Sequence, residues 1–111
     1  MNRETLVNGT AVYCTDSYRF GQDALLLAHF SRVRTREAAA DFGTGCGVIA
    51  LWWHDRGHKG PCLAVDLQAE GLALLQRALE ENEQAGAHIH PLCADLRGFP
   101  RDAWAEQSLD V

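Results

Sequence analysis

The sequence has no apolar run long enough to cross a bilayer, and no basic segment leads into an apolar one near its start. Neither a membrane span nor a secretory signal is therefore expected. It also lacks a Cys-x-x-Cys pair: Cys14, Cys46, Cys62 and Cys93 are scattered. Free cysteines in or beside strands behave as small buried hydrophobes, and a reducing cytoplasm is the simplest setting for them. Positive charge is short too, with 10 Lys and Arg against 15 Asp and Glu and a net charge of −5. That balance argues against a self-sufficient nucleic-acid surface, because phosphate contacts need clustered cations. Arg32, Arg34 and Arg36 do cluster, but just ahead of the first core strand, where a solvated loop is the simpler reading. Repeats, linkers and low-complexity segments are missing. What remains is an ordinary globular composition, 47% apolar and 23% charged over 111 residues, enough for one domain at most.

Strand and helix signals alternate along the chain. Asn8-Gly9, between the short runs Leu6-Val7 and Thr10 to Tyr13, signals a hairpin. A buried helix is expected from Asp23 to about Phe30, with Asp23 at its start. Ala38 to Phe42 reads as the first core strand. Val48, Leu51 and Trp52 follow at helical spacing, and Gly57 with Gly60-Pro61 closes that helix. Cys62 to Val65 is a second strand ending at Asp66. Leu72, Leu75 and Leu79 then line one face of a long helix, which Gly86 is expected to stop. Ile89 to Ala94 is a third strand ending at Asp95; a loop at Gly98-Phe99-Pro100 and a short helix from Arg101 to Gln107 come after it. This order predicts an α/β fold with a parallel, doubly wound sheet and right-handed crossovers. Leu109-Asp110-Val111 resembles the opening of a fourth strand. The chain therefore reads as the amino-terminal part of a longer protein, marginal and prone to self-association when alone. Within it, residues 1–35 form the hairpin and covering helix, and residues 36–111 the βαβαβ core.

The most telling segment is Asp41-Phe42-Gly43-Thr44-Gly45-Cys46-Gly47, a glycine-rich turn between strand and helix. Such a turn lets main chain press against a nucleotide-like cofactor. The dinucleotide pattern Gly-x-Gly-x-x-Gly fails at Val48, which turns the reading from NAD to S-adenosyl-L-methionine, a ligand with an adenosine end and no pyrophosphate. Three strand ends carry an acid. Asp41 is placed to accept from the methionine ammonium and to oppose the sulfonium. Asp66, 19 residues beyond Gly47, suits the two ribose hydroxyls. Asp95 suits the adenine amino group, with the Leu96 N–H at the ring edge. Any one of these acids taken singly is better read as a helix cap or turn residue; three at successive strand ends in one βαβαβ order favour a nucleoside site.

Tyr18-Arg19-Phe20-Gly21-Gln22-Asp23-Ala24-Leu25-Leu26-Leu27, with the glycine turn, Ala64-Val65-Asp66 and Cys93-Ala94-Asp95, resembles the class I S-adenosylmethionine-dependent methyltransferases. Among these it is most similar to the bacterial tRNA adenine-N6 methyltransferases, from Leu6 onward. The resemblance implies a Rossmann-like fold and cofactor contacts from Asp41, Gly43, Thr44, Gly45, Gly47, Asp66, Leu67, Asp95 and Leu96. The segment from Arg19 to Asp23, with Arg19 and Gln22, would cover the methionine end. It further implies a tRNA substrate and a cytoplasmic enzyme. Asp66 departs from the glutamate common in that family, being shorter by one methylene. The family's catalytic Asn-Pro-Pro-Tyr motif follows the fourth strand and would lie past Val111, so the chain alone is expected to bind cofactor without catalysing transfer. Other substrates on the same cofactor half (ribosomal RNA, a protein glutamine, a small molecule) and a non-catalytic binding module remain as alternatives.

The other chemistry-bearing residues read more plainly. His54 and His58 are four apart, but no Glu follows the first and Gly57 intervenes, so they read as exposed helix-end histidines and not as metal ligands. His88 and His90 share one strand parity that Cys93 does not. Trp52 is assigned to the core and Trp53 to partial exposure. Tyr18 and Phe20 are candidates either for a substrate or cofactor contact or for simple packing.

Overall fold

The computed structural model describes residues 1–19, 22–31 and 33–95, with the side chains of Gln22, Asp23 and Phe30 excepted. The expectations that fall on Phe20, Gly21, Arg32 and everything from Leu96 to Val111 lie outside the described residues. β1 (Asn2–Thr5) and β2 (Ala11–Cys14) form an antiparallel hairpin, and α1 (Gln22–Ser31) follows. Then come β3 (Ala39–Phe42), α2 (Val48–Asp55), β4 (Cys62–Asp66), α3 (Ala69–Glu81), the single turn α4 (Glu83–Gly86) and β5 (Ile89–Cys93). Among the described residues β3, β4 and β5 are parallel in that spatial order, as the alternating pattern predicts.

Two-sided burial explains the short apolar run of the central strand β4, whereas β3 is exposed at Phe42 and β5 is buried only at Ile89. Ala39, Cys62, Ala64, Val65 and Ile89 are all buried, with Leu51 of α2 and Leu75 of α3 fully enclosed. Each such leucine contributes about 1.5–3 kcal/mol of burial. β2 is buried along its whole length and joins the same core. Polar anchors fix the hairpin across the helices. Arg3 and the Tyr13 hydroxyl both donate to the Glu81 carboxylate, at 2.6 and 2.5 Å. The Asp55 carboxylate, buried at the end of α2, accepts the backbone N–H groups of Asn8 and Thr10 at 3.0 and 3.1 Å.

Several expectations need correction. The hairpin exists, but Leu6 and Val7 belong to its loop and not to a strand: Leu6 N–H donates to Thr10 O and Gly9 N–H to Leu6 O. α3 stops at Glu81, not Gly86, because the Asn82 side chain donates to Ala78 O at 2.7 Å and also exchanges bonds with the Ala11 backbone. The tryptophans exchange roles. Trp53 is buried, its indole N–H donating to Ala28 O at 3.1 Å where α1 packs on α2, while Trp52 is half-buried under the Arg56 guanidinium.

The histidines also differ from expectation. His58 is buried and bonded to Glu37 O at 2.6 Å. His54 at the end of α2 meets buried His88 just before β5, Nδ1 to Nε2, at 2.8 Å. A carbonyl only accepts, so His88 donates from Nδ1 to Gly60 O and must accept from His54 Nδ1–H. Burial lowers the pKa of both His54 and His88. Gly57, at a φ of 108°, ends α2 as expected, and Arg34 and Arg36 are exposed.

Candidate functional site

The glycine turn crosses from the carboxyl end of β3 to the start of α2. Gly43, Gly45 and Gly47 have φ values of 74°, 56° and 83°, in the left-handed region that penalises a side chain. Gly43 and Thr44 donate their N–H groups to Val65 O at 2.8 and 2.9 Å, pinning the turn to β4. A Cβ built on Gly43 or Gly45 meets no atom within 4 Å, so both present bare main chain to open space. Gly47 serves packing instead: its Cβ would fall 2.4 Å from Leu75 Cδ1.

Two carboxylates flank that bare main chain. Asp41 is buried and accepts the Thr44 hydroxyl at 2.6 Å. Burial raises its pKa, the Thr44 bond pulls against this, and the charge of Asp66 adds to the rise. Asp66 is half-buried at the end of β4 and accepts Gly45 N–H on Oδ2 at 2.8 Å and Gln68 N–H on Oδ1 at 2.9 Å. These are main-chain bonds, not salt links. A carboxylate oxygen has two lone pairs, so each oxygen retains one for a hydroxyl. The donor set and the glycine space thus fit a sulfonium-bearing ribonucleoside: acceptors for an ammonium and a diol, negative charge opposite a cation, and no side chain where the ligand approaches.

Asp41, Gly43, Thr44, Gly45, Gly47 and Asp66 are therefore gathered at one end of the sheet. Leu67 is exposed beside Asp66. Asp95 lies two residues past β5, next to β4, and is exposed. Arg19 is exposed and paired with Asp16 at 2.9 Å. Gln22 opens α1, with its side chain outside the described residues, as is Leu96. Four neighbours went unanticipated. Gly71 lets α3 touch the glycine turn, since a Cβ there would lie 2.7 Å from Gly45 O. Gln68 and Glu70 receive the Tyr18 hydroxyl. Cys93, the one exposed cysteine, donates from Sγ to Leu67 O at 3.4 Å, whereas Cys14, Cys46 and Cys62 are buried. Burial pushes the Cys62 thiol up to about 12.

Residues 3–97 match the family model described as "Methyltransferase small domain". The chain belongs to the methyltransferase small domain family. Its fold is that of the class I methyltransferases, which use S-adenosylmethionine. The C-terminal domain of precorrin-6Y C5,15-methyltransferase from Rhodobacter capsulatus superposes with a TM-score of 0.68 at 15% identity, over 86% of this chain and 48% of that one. The precorrin-6Y C5,15-methyltransferase of Geobacter metallireducens gives 0.63 at 13% identity, over 80% and 49%. YjhP from E. coli gives 0.57 at 21%, over 73% and 32%. At these identities the likeness concerns the fold alone, and this methyltransferase small domain spans about half the length of the first two structures. No curated protein matches the chain in sequence. Among the described residues no helix is long and apolar enough to cross a membrane.

Proposed function

We propose that this chain is the cofactor-binding part of an S-adenosylmethionine-dependent methyltransferase that methylates adenine N6 in RNA, with tRNA as the substrate, in the cytoplasm. The observation that carries the cofactor half is the pairing of Asp66 with Gly45. One carboxylate holds the bare glycine turn at 2.8 Å and still has acceptor capacity towards the open space beside it. When bound, S-adenosylmethionine supplies a methyl group on a cationic sulfur. Asp41 opposes that charge and accepts the ammonium; Asp66 accepts the ribose hydroxyls; Asp95 and the Leu96 N–H read the adenine edge. Arg19 and Gln22 belong to the segment that covers the methionine end. The adenine-N6 reading rests on the similarity of the Tyr18 to Leu27 stretch to the tRNA enzymes. That reading requires acceptors that hold the poorly nucleophilic exocyclic amine in line with the methyl group.

Two experiments test this. The chain should take up S-adenosylhomocysteine in a calorimeter and ignore NAD; the opposite preference would end the cofactor reading. Incubation of the full-length gene product with labelled S-adenosylmethionine and tRNA, followed by digestion to nucleosides, should yield N6-methyladenosine. Label on ribosomal RNA, protein glutamine or a small molecule in its place would select one of the other substrates. Binding with no transfer to any of them would make the protein a non-catalytic module.

A further inference from the structure

Tyr18 lies outside the glycine turn, yet its side chain is fastened to the same rim. Its main chain is set by a small turn after β2. Tyr18 N–H reaches Thr15 O and Thr15 Oγ1, each at 3.2 Å, and Thr15 N–H returns to Tyr18 O. The phenol hydroxyl donates to Gln68 Oε1, with Glu70 Oε2 3.2 Å away as a second acceptor. The ring edge meets Gly71 on the side that also faces Gly45 O. Gln68 in turn gives its N–H to Asp66 Oδ1, and Asp66 Oδ2 holds Gly45 N–H. An unbroken series of contacts therefore runs from the hairpin end through Gln68 to Asp66 and the glycine turn.

Stability alone does not call for this series. Gln68 and Glu70 are exposed, and water satisfies such groups with little net change. Its effect falls on geometry. Of the two N–H groups that orient the Asp66 carboxylate, Gly45's belongs to a turn pinned to β4. Gln68's sits on extended backbone before α3, at φ −98° and ψ 124°, with no side-chain cap. The carboxylate's own terminal torsion is soft. We infer that Tyr18 is a positioning residue: by clamping Gln68 and Glu70 it aims the Asp66 carboxylate, so that the site selects ligands bearing an intact ribose diol over their deoxy counterparts. The inference rests on the cofactor reading above.

Tyr18→Phe keeps the ring against Gly71 and removes only the clamp. Calorimetry is run with S-adenosylhomocysteine and with its 2′-deoxyribose analogue, on native and variant chains. The native chain should prefer the ribose ligand. In the variant, binding of that ligand should weaken about fivefold to tenfold, and that of the deoxy analogue by less than about twofold, the scale of one hydrogen bond. Gln68→Ala should cause the same selective loss, and the double variant should be no worse than either single one, because both act through one contact. Equal losses for the two ligands, or no loss, would overturn the positioning role and leave the cofactor reading standing. Failure of the native chain to bind either ligand would remove both.

Discussion

Replacing Gly71 by alanine sets two opposed effects against one another in α3. Within a helix, alanine is favoured over glycine by about 0.8–1.0 kcal/mol. The new Cβ, however, would stand 2.7 Å from Gly45 O, 2.9 Å from Gly45 C and 2.9 Å from Tyr18 Cε1. Carbon contacts are relaxed at about 3.5 Å and beyond, so helix and turn must part by roughly half an ångström or more. Two of the three obstructing atoms are main chain, and Gly45 is held by its bond to Asp66, so no rotamer change relieves the clash. Overpacking of this kind costs about 1–3 kcal/mol. Sterics should win narrowly, giving a net loss of about 1 kcal/mol in urea unfolding followed by tryptophan fluorescence. Ala73→Gly, on the exposed side of the same helix, calibrates propensity alone and should lose about 1 kcal/mol. The displacement falls on Gly45, so S-adenosylhomocysteine affinity should drop about tenfold, the worth of a good hydrogen bond. A Gly71→Ala chain more stable than native by the full propensity difference, with unaltered affinity, would refute the close-packing argument.

Three further outcomes are expected. Asp66→Ala should weaken S-adenosylhomocysteine by about 1.5–3 kcal/mol in calorimetry, the range for hydrogen bonds to a charged group, and unchanged affinity would discard its ribose role. Asp55→Ala strips the acceptor from the Asn8 and Thr10 N–H groups. It should cost about 1–3 kcal/mol and speed amide exchange in the hairpin loop, and slow exchange there would show that the loop needs no anchor. His54 and His88 have folded pKa values below the ordinary 6.5, through burial first, with Asp55 opposing the shift at His54 and Gly60 O opposing it at His88. The unfolded chain then binds more protons, so their contribution is complete above pH 6.5 and fades as pH falls through the lowered folded values. Urea midpoints for native and His88→Gln chains should converge towards acid pH; a constant gap would deny that the couple titrates.

What could be read from the sequence was what short stretches determine by themselves. The glycine turn, the strand-end acids and the apolar faces of α2 and α3 follow from turn chemistry and periodicity, and β3, β4 and β5 follow from their alternation with helices. What stayed hidden depends on distant partners. His54 reads as an exposed helix-end residue and His88 as one of a strand pair with His90, until the end of α2 meets the start of β5. Asn82 reads as one more polar residue in a helix until β2 gives it two backbone groups to hold, and then it ends α3 before Gly86 can. Trp52 and Trp53 cannot be ranked by a single-face pattern, because α2 packs against α1 as well as the sheet. Tyr18 reads equally as a ligand contact or as packing, and its hydroxyl bond to Gln68 joins residues too far apart in the chain for a local pattern to show.

The uneven exposure of the cysteines has a practical consequence. Three thiols are shut inside the protein, and the fourth, Cys93, opens to solvent in register with Asp66 across the β4–β5 pair. A maleimide dye added to the unmodified chain would settle at that one position. It would give an optical reporter beside the ligand rim without any mutation, and the rate of its attachment would itself record when the rim is covered.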